Sequence, residues 1–377
     1  MARAPINGST LTWARTLMHL NQRDIASAAG TTLEKAQGFE SGEALPTLKQ
    51  LAKIAKKLDR NLAFFFAPPP ETDDVPDTPD FRGRDAEPLP PLLAREMRRA
   101  EQHRDTVLDL QGLSERTARV GAVTWDNHRQ QASEMRRHLG LRDEFIPPES
   151  QPNQVLNFWR GLLEHHGYLV FQTTNVPLNT FRGLSIQHDE LPIILLNGAD
   201  SNNGKVFTLF HEVAHLSNRT SGLCNLDDDV NEETIANAFA ANFLIPHRQV
   251  RFLIQHLDGE PAELATKVAT TFRVSFLAAG IRLRTLNVID DGDLEAIWQE
   301  SDAIWAKHRA EQKAKPGGPQ PWRVRYRDLG STYVGTVARA VEDNRVDWMD
   351  ATYLLNARIP MVQQMFDEYY KTEGTQQ

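Results

Sequence analysis

The chain has 377 residues, a length that favours two or three domains over a single compact one. An apolar content of 40% excludes a chain that is disordered throughout, and a single cysteine, Cys224, excludes an internal disulfide framework and fits a reducing compartment. The net charge of −8 argues against a protein that coats nucleic acid. Within that total, however, residues 1–66 hold nine lysines and arginines against five acids, so the remainder carries −12. We therefore expect only the N-terminal segment to contact nucleic-acid phosphates.

The N-terminal segment, residues 11–66, shows short amphipathic stretches separated by tight turns. Gly30 is placed to end one helix, Thr32 to cap the next, and Pro46 to open another. The apolar stripes that would face a core are Leu11, Ala14, Leu17 and Met18, then Ile25, Ala26 and Ala29, then Leu48, Leu51, Ala52, Ala55 and Leu58. This pattern predicts an all-α domain over residues 1–67.

A segment rich in proline and acids, residues 68–90, follows and predicts an extended linker. Beyond it the pattern predicts helices at roughly 91–118 and 151–166 and strands of a small sheet at 168–171 and 192–196. Helical periodicity resumes at Phe207, and a linker-like break at 311–321 precedes a helical C-terminal segment. The expected class is multidomain and mainly α, with an α+β domain over 91–285 and a helical region of unknown role over 286–377.

The segment His211-Glu212-Val213-Ala214-His215 carries the chemistry of the central region. Two histidines four residues apart on a helix project from one face and can reach the same metal ion. Glu212, between them, is placed to act as a base on a water molecule at that metal and then as an acid toward the leaving amine. The alternative is two exposed histidines on a surface helix. A ligand downstream favours the metal site.

That ligand is expected in the helical segment 231–246, which ends at a proline. If the apolar residues of this segment face the core, Glu233 and Asn237 lie together near that face at i, i+4 spacing. Glu233 is the predicted third zinc ligand, and Glu232 is the alternative. Asn237 is predicted to orient one histidine through its second ring nitrogen. Three protein ligands leave a coordination position open, as in catalytic zinc sites.

Two further histidines are candidates for stabilising the oxyanion formed during attack. His188 lies in a polar turn before the second predicted strand, and His247 directly follows Pro246. A solvent-exposed loop histidine is the alternative for each of them. The sequence therefore leaves the oxyanion stabiliser open.

Residues 155–285 resemble the ImmA/IrrE-type metallopeptidases, which would make the domain zincin-like. The resemblance rests on the motif after the strand at 192–197 and on the segment that follows Glu233. In that family the two histidines and the later glutamate bind Zn²⁺ and the glutamate within the motif is the base, which implies those roles for His211, His215, Glu233 and Glu212. Family members cleave helix-turn-helix repressors in stress responses or mobile elements, and the family leads us to expect a homodimer.

Residues 11–58 resemble the Xre-type, lambda-repressor-like helix-turn-helix family. The features that carry the resemblance are Gln22 at the start of the second helix, Gly30 at the turn, and Glu40-Ser41-Gly42 with Pro46 after the third helix. The resemblance implies that residues 32–39 form a recognition helix that enters the major groove of double-stranded DNA.

In that register Glu34, Gln37 and Gly38 face outward while Ala36 and Phe39 face inward. Gln37 is then placed to read adenine and Glu34 to read cytosine. Three residues are expected to contact phosphates: Gln22, Arg23 and Lys35. Because Ala36 is small, Gly38 weakens a helix and Glu34 repels phosphate, the alternative is an interaction domain with poor DNA affinity.

Together these patterns predict a cytoplasmic, zinc-dependent endopeptidase tethered to DNA that cleaves a transcriptional regulator. The sequence contains no stretch of the roughly 18 to 20 apolar residues that a bilayer span needs, so no membrane partner is expected. The alternative is a DNA-binding repressor or antitoxin-like protein whose zinc domain senses a signal or holds a partner. An intact Glu212 favours the enzyme, since a site that only binds needs no base.

Overall fold

The structure is a computed structural model that describes residues 3–18, 20–70, 90–111, 117–219, 223–224, 231–314 and 318–376. The chain divides into two units, Met1–Gln102 and His103–Gln377. Most of the predicted linker, residues 71–89, lies outside the described residues. The predicted class, mainly α with a small sheet, is confirmed.

The N-terminal unit consists of short helices, and side chains cap the first four of them. Asn7, Asn21, Thr32 and Thr47 each accept hydrogen bonds from amides of the first turn that have no partner within the helix. The elements are α1 Gly8–Leu17, α2 Gln22–Ala29, α3 Leu33–Ser41, α4 Leu48–Leu58, a 3₁₀ turn at Ala63–Phe66, and the first part of α5 Pro91–Gln111. Gly30 ends α2 in the left-handed conformation, at φ 63°, where a glycine is least strained.

The predicted apolar stripes form one core in this unit, with Leu11, Ile25, Phe39 and Leu51 almost fully buried. Leu48 and Ala52 depart from the prediction. Leu48 is 50% exposed and Ala52 is exposed as well, because both lie to one side of the face that α4 buries, which is formed by Leu51, Ile54, Ala55 and Leu58.

The second unit is built around a four-stranded sheet with the order β1-β3-β2-β4. The strands are β1 Leu169–Thr173, β2 Gly183–Ile186, β3 Ile193–Asn197 and β4 Leu223–Cys224. β1 pairs with β3 in parallel, and β2 pairs antiparallel with both β3 and β4. Every residue of the first three strands is buried, which explains why β1 and β3 are apolar runs without alternation.

Helices cover this sheet and extend the unit. The helices up to the end of the predicted metallopeptidase domain are α6 His128–His138, α7 Pro152–His165, α8 Asn202–Ser217, α9 Asn231–Leu244, α10 His247–Ile254, α11 Pro261–Phe272 and α12 Phe276–Thr285. α8 packs against β2, β3, α7 and α9. Phe210 of α8 stacks on Phe243 of α9 with centroids 3.9 Å apart, and Trp159 of α7 meets both rings edge-on. This aromatic cluster fixes α8 against α9.

The C-terminal helices belong to the same unit. They are α13 Asp291–Ala314, α14 Pro321–Leu329, α15 Ser331–Glu342, α16 Trp348–Leu354 and α17 Ile359–Gln376. α13 packs on α11 and α12, whereas α14 packs on β1. The buried carboxylate of Glu164 on α7 accepts hydrogen bonds from Ser331 and Thr332, and Arg160 donates to the carbonyl of Arg327. The predicted region of unknown role therefore packs against the sheet at β1.

Three predicted boundaries were wrong. α8 begins at Asn202 instead of Phe207, because Ser201 caps a polar first turn that has no apolar periodicity. α13 continues to Ala314 through the start of the predicted break at 311–321. Residues 117 and 118 are not helical, so the first predicted helix of the central region does not reach 118; its described part is α5, Pro91–Gln111.

Among the described residues, no single helix is long and apolar enough to cross a bilayer by itself. α11 and α12 reach that length and composition together, but the chain bends by 111° between them.

Candidate metal centre

Helix α8 buries its polar residues as well as its apolar ones. His211 and Glu212 are fully shielded from solvent, and His215 is 5% exposed. Buried polar side chains require partners, because their desolvation otherwise costs free energy. For the two histidines the partners come from α9, which packs along α8.

The two imidazoles converge on the carboxylate of Glu233. His211 Nε2 lies 3.0 Å from His215 Nε2 and 3.0 Å from Glu233 Oε2, and His215 Nε2 lies 3.2 Å from Glu233 Oε1. Burial acts to raise the pKa of Glu233, but hydrogen bonds from the two histidines outweigh it and hold that pKa well below its ordinary value. The carboxylate is therefore ionised beside the imidazoles.

This group fits a zinc ion. Two imidazole nitrogens and one carboxylate are a known donor set for Zn²⁺, and tetrahedral ligands at about 2.0 to 2.1 Å from zinc are roughly 3.3 Å from one another. The separations of 3.0 to 3.2 Å between the atoms of His211, His215 and Glu233 are close to that value. In the described part of the chain these three residues form the group, whereas a closed structural site has four.

Asn237 orients one of the imidazoles. His211 Nδ1 lies 2.9 Å from Asn237 Oδ1, so its N–H donates to the amide oxygen and Nε2 is left to face Glu233 and His215. Glu233 and Asn237 are four residues apart on α9, as the predicted i, i+4 pairing requires. The alternative ligand, Glu232, is exposed to solvent and lies outside the group.

Glu212 lies next to the ligand group but is not part of it. Its side chain is fully buried, and neither carboxylate oxygen has a hydrogen-bond partner among the described residues. Burial raises the pKa of Glu212, and the neighbouring His215 and His211 act in the opposite direction. A buried carboxylate that makes no hydrogen bond is costly unless nearby charge offsets that cost, as the imidazoles of His215 and His211 do here.

Two residues of β2 that we did not predict complete the surroundings of Glu212. A side chain on Gly183 would meet Thr208 Cγ2 at 2.3 Å and Glu212 Oε1 at 2.9 Å, so only glycine lets the strand lie this close to α8. Ser185 is fully buried, and its hydroxyl acts to lower the pKa of Glu212. The available signal was a glycine that opens a short buried strand, but four residues gave no alternation to recognise.

The predicted DNA-reading residues lie on α2 and α3 of the N-terminal unit. Gln37 Nε2 donates to Gln22 Oε1 at 3.1 Å, and Gln22 Nε2 donates to Glu40 Oε2 at 2.8 Å. Glu40 also forms an ion pair with Arg15 at 2.6 Å. This chain of contacts joins the two glutamines in one surface group.

The other predicted contact residues are exposed to solvent: Arg23, Glu34 and Lys35. Glu34 accepts from its own backbone amide and from Thr32, which lowers its pKa. Gly38 was predicted to face outward, but it is buried, because its Cα lies against Ala44. Ala36 and Phe39 face the core as predicted.

Neither candidate for the oxyanion stabiliser belongs to the ligand group. His188 is half-buried, and its backbone carbonyl accepts a hydrogen bond from Arg119. His247 is half-buried at the start of α10, where burial and then the charges of Arg129, Arg282 and Arg251 lower its pKa.

Comparison with known proteins adds one finding. No curated protein and no solved structure matches the chain. Residues 163–284 match the family model described as the IrrE N-terminal-like domain, Peptidase_M78. The match is shorter than half of the chain, but it contains Glu212, Asn237 and the whole ligand group. This part of the chain is therefore similar to a metallopeptidase domain.

Proposed function

We propose that the chain is a zinc-dependent endopeptidase whose N-terminal unit binds double-stranded DNA. The observation that carries the enzymatic part is the position of Glu212, a fully buried carboxylate without a hydrogen-bond partner among the described residues, beside the three potential ligands. A site that only binds a metal needs the ligands and gains nothing from this carboxylate.

The residues divide the work between holding the ion and moving the proton. His211, His215 and Glu233 would hold Zn²⁺, with His211 kept in place by Asn237. The bound ion would supply Lewis acidity, which lowers the pKa of water and polarises a peptide carbonyl. Glu212 accepts the proton of the attacking water and delivers it to the leaving amine.

The proposed substrate is a regulatory protein of the helix-turn-helix type, cleaved in a stress or mobile-element response inside the cell. The support for this is the resemblance to the ImmA/IrrE-type peptidases and the match at residues 163–284. The N-terminal unit, with Gln37 and Lys35 exposed on α3, supports a role at DNA. A homodimer remains part of the proposal.

The test compares the zinc-loaded full-length chain with Glu212→Gln on helix-turn-helix regulators encoded beside its gene. We expect the parent to cut at a defined bond and the variant to be slower by about 10²- to 10⁴-fold, the range for loss of a general base. Metal content measured on both proteins is the control, because Glu212 is not a ligand and both should bind equal zinc.

If the two proteins behave alike on every regulator, the enzymatic proposal is wrong. The alternative, a DNA-binding protein whose zinc domain senses a signal or holds a partner, then remains. In that case the regulators should still bind the chain without being cut, as a pull-down with intact regulator would show.

A further inference from the structure

A second group of chemistry-bearing residues in the His103–Gln377 unit lies outside the metal ligands, and it is cationic. It combines His128 and Arg129 of α6, His247 and Arg251 of α10, and Arg282 of α12. We call these five residues the cationic group. Neither the metallopeptidase proposal nor the family match gives it a role.

Arg282 is the most deeply buried member of the cationic group. It is only 2% exposed, and its Nη2 donates to Asn242 Oδ1 at 2.5 Å. Its Nε is buried and has no hydrogen-bond partner among the described residues. Burial, together with the charges of Arg129 and Arg251, lowers the pKa of this guanidinium to about 10. A buried cation in this state lacks the compensation that ions in protein interiors require.

Two other buried arginines in this unit have more partners, although Arg136 Nε, like Arg282 Nε, makes no hydrogen bond among the described residues. Arg136 is 1% exposed and donates to backbone carbonyls, among them those of Phe243 and Arg142. Arg160 is 5% exposed and donates to the carboxylate of Glu164. Against these two, Arg282 stands out because the charges that act on it within the described chain are all positive.

The remaining members surround Arg282 with increasing exposure. Arg129 and Arg251 are exposed, whereas His128 is buried and His247 is half-buried. His247 Nδ1 is a buried atom without a hydrogen-bond partner in the described residues. His128 uses Nδ1 on the carbonyl of Trp125 at 2.6 Å, which leaves Nε2 as its other polar atom. Arg251 Nη2 donates to the carbonyl of Leu286, directly after α12, which places this cation beside the helix that carries Arg282. The result is a buried donor flanked by histidines, with exposed cations toward solvent.

The charges acting on the two histidines follow the same pattern. Burial is the largest effect lowering the pKa of His128 and of His247, and the nearby arginines lower both further. No carboxylate in the described part of the chain contributes to either shift. The group is therefore complementary to an anion that the described residues do not supply.

We propose that the cationic group binds a phosphate-type oxyanion, as inorganic phosphate or as the phosphate of a nucleotide. A phosphate monoester carries about 1.5 to 2 negative charges and three strong acceptor oxygens, which suit several guanidinium and imidazole donors better than a single carboxylate does. Trp125 is 55% exposed, and its ring lies 5.2 Å from that of His128, so an aromatic face for a base adjoins the group.

The experiment is isothermal titration of the zinc-loaded full-length chain with inorganic phosphate and with AMP, at constant ionic strength in chloride. We expect saturable binding with one site per chain. Arg282→Gln should weaken it at least tenfold, whereas Arg284→Gln should leave it unchanged, because Arg284 is on the same helix but is exposed and paired with Asp291. AMP binding more tightly than phosphate identifies the nucleotide as the source of the anion, and the reverse order identifies free phosphate.

If Arg282→Gln does not fold, substitutions of the two exposed arginines, Arg129 and Arg251, test the proposal instead. Arg129→Gln and Arg251→Gln change exposed side chains, and each should weaken binding about three- to tenfold while the melting temperature of the ligand-free protein stays the same. Absence of saturable binding to the parent overturns the proposal. So does binding that survives all three substitutions but disappears on zinc removal, because that would place the anion at the metal centre.

Discussion

The metal centre and the proposed DNA-reading face place their functional side chains in opposite environments. His211 and Glu212 are fully buried, and α9 fixes the metal-centre side chains by direct contacts. On the N-terminal unit, Lys35 and Gln37 are exposed, and the contacts of Gln37 are to another surface glutamine, Gln22. One set of residues is positioned by the core, and the other is available to a partner.

Because of this difference, a substitution at the metal centre can affect both fold and function, whereas a substitution on the N-terminal face can affect function alone. At the metal centre a misplaced side chain would disrupt the packing between α8 and α9, so geometry and fold are tested together. At the N-terminal face a substitution leaves the core intact, so an effect on DNA binding would report on recognition alone. Substitutions in the two regions test that contrast.

The largest expected effect concerns the third ligand. Glu233→Ala removes one of three donors and should reduce the bound zinc of the purified chain from about one ion to nearly none. Glu232→Ala is the matched control, because the neighbouring side chain is exposed and outside the group. Metal analysis after dialysis is the measurement, and equal zinc in the two variants would contradict the assignment of Glu233.

A smaller effect on zinc binding is expected for Asn237, the hydrogen-bond partner of His211. Asn237→Ala removes the acceptor of the His211 Nδ1–H and should weaken zinc binding by about 10- to 100-fold, the usual cost of losing such a partner. Asn237→Asp keeps an oxygen acceptor and should restore most of the affinity. Competition with a chelator measures both, and an alanine variant with the affinity of the parent would show that α9 alone fixes the imidazole.

On the exposed side of the comparison, Gln37→Ala should change sequence preference without changing stability. The loss of one base contact is expected to cost about 1 to 3 kcal/mol of discrimination between the preferred operator and a variant with that base pair replaced. Mobility shifts on the upstream region of the gene, with thermal unfolding of the same samples, make the measurement. Undiminished preference would remove Gln37 from the reading face.

The smallest expected effect is the change in stability with pH that the buried Lys205 should cause. Lys205 of α8 is 3% exposed, and burial, reinforced by the charge of Arg327, lowers its pKa to about 8. Because the unfolded chain still binds this proton up to its ordinary pKa near 10.5, stability should rise with pH above 8. The free energy of unfolding of the parent should increase by about 1.5 kcal/mol between pH 8 and 9.5 relative to Lys205→Met. Denaturant unfolding at the two pH values measures this, and a difference in free energy between parent and variant that is the same at both pH values would contradict it.

Much of the metal centre was accessible from the sequence because its geometry is local. The spacing of His211 and His215, and of Glu233 and Asn237, follows from the helical repeat, and an apolar surrounding marks both helices as buried. Helical periodicity does not show which helices pack against each other. That α9 lies along α8 was supplied by the family resemblance and by chemical reasoning about a missing ligand.

The residues that were missed depend on long-range packing. Gly183 matters only because β2 lies against Glu212 of α8. The cationic group draws on α6, α10 and α12, which are far apart in sequence. Local sequence patterns carry no information about contacts between distant segments, so the sequence does not predict these features.

The contacts of the C-terminal helices with the sheet have a practical consequence for dividing the chain. The order of the sheet leaves β1 at one edge, and α14 covers it. A fragment that stops at the end of the family match, residue 284, would lose that cover and leave Arg160 and Glu164 without their partners from the C-terminal helices. An uncovered apolar edge strand recruits other strands, so such a fragment should aggregate, even though every residue of the metal centre is present.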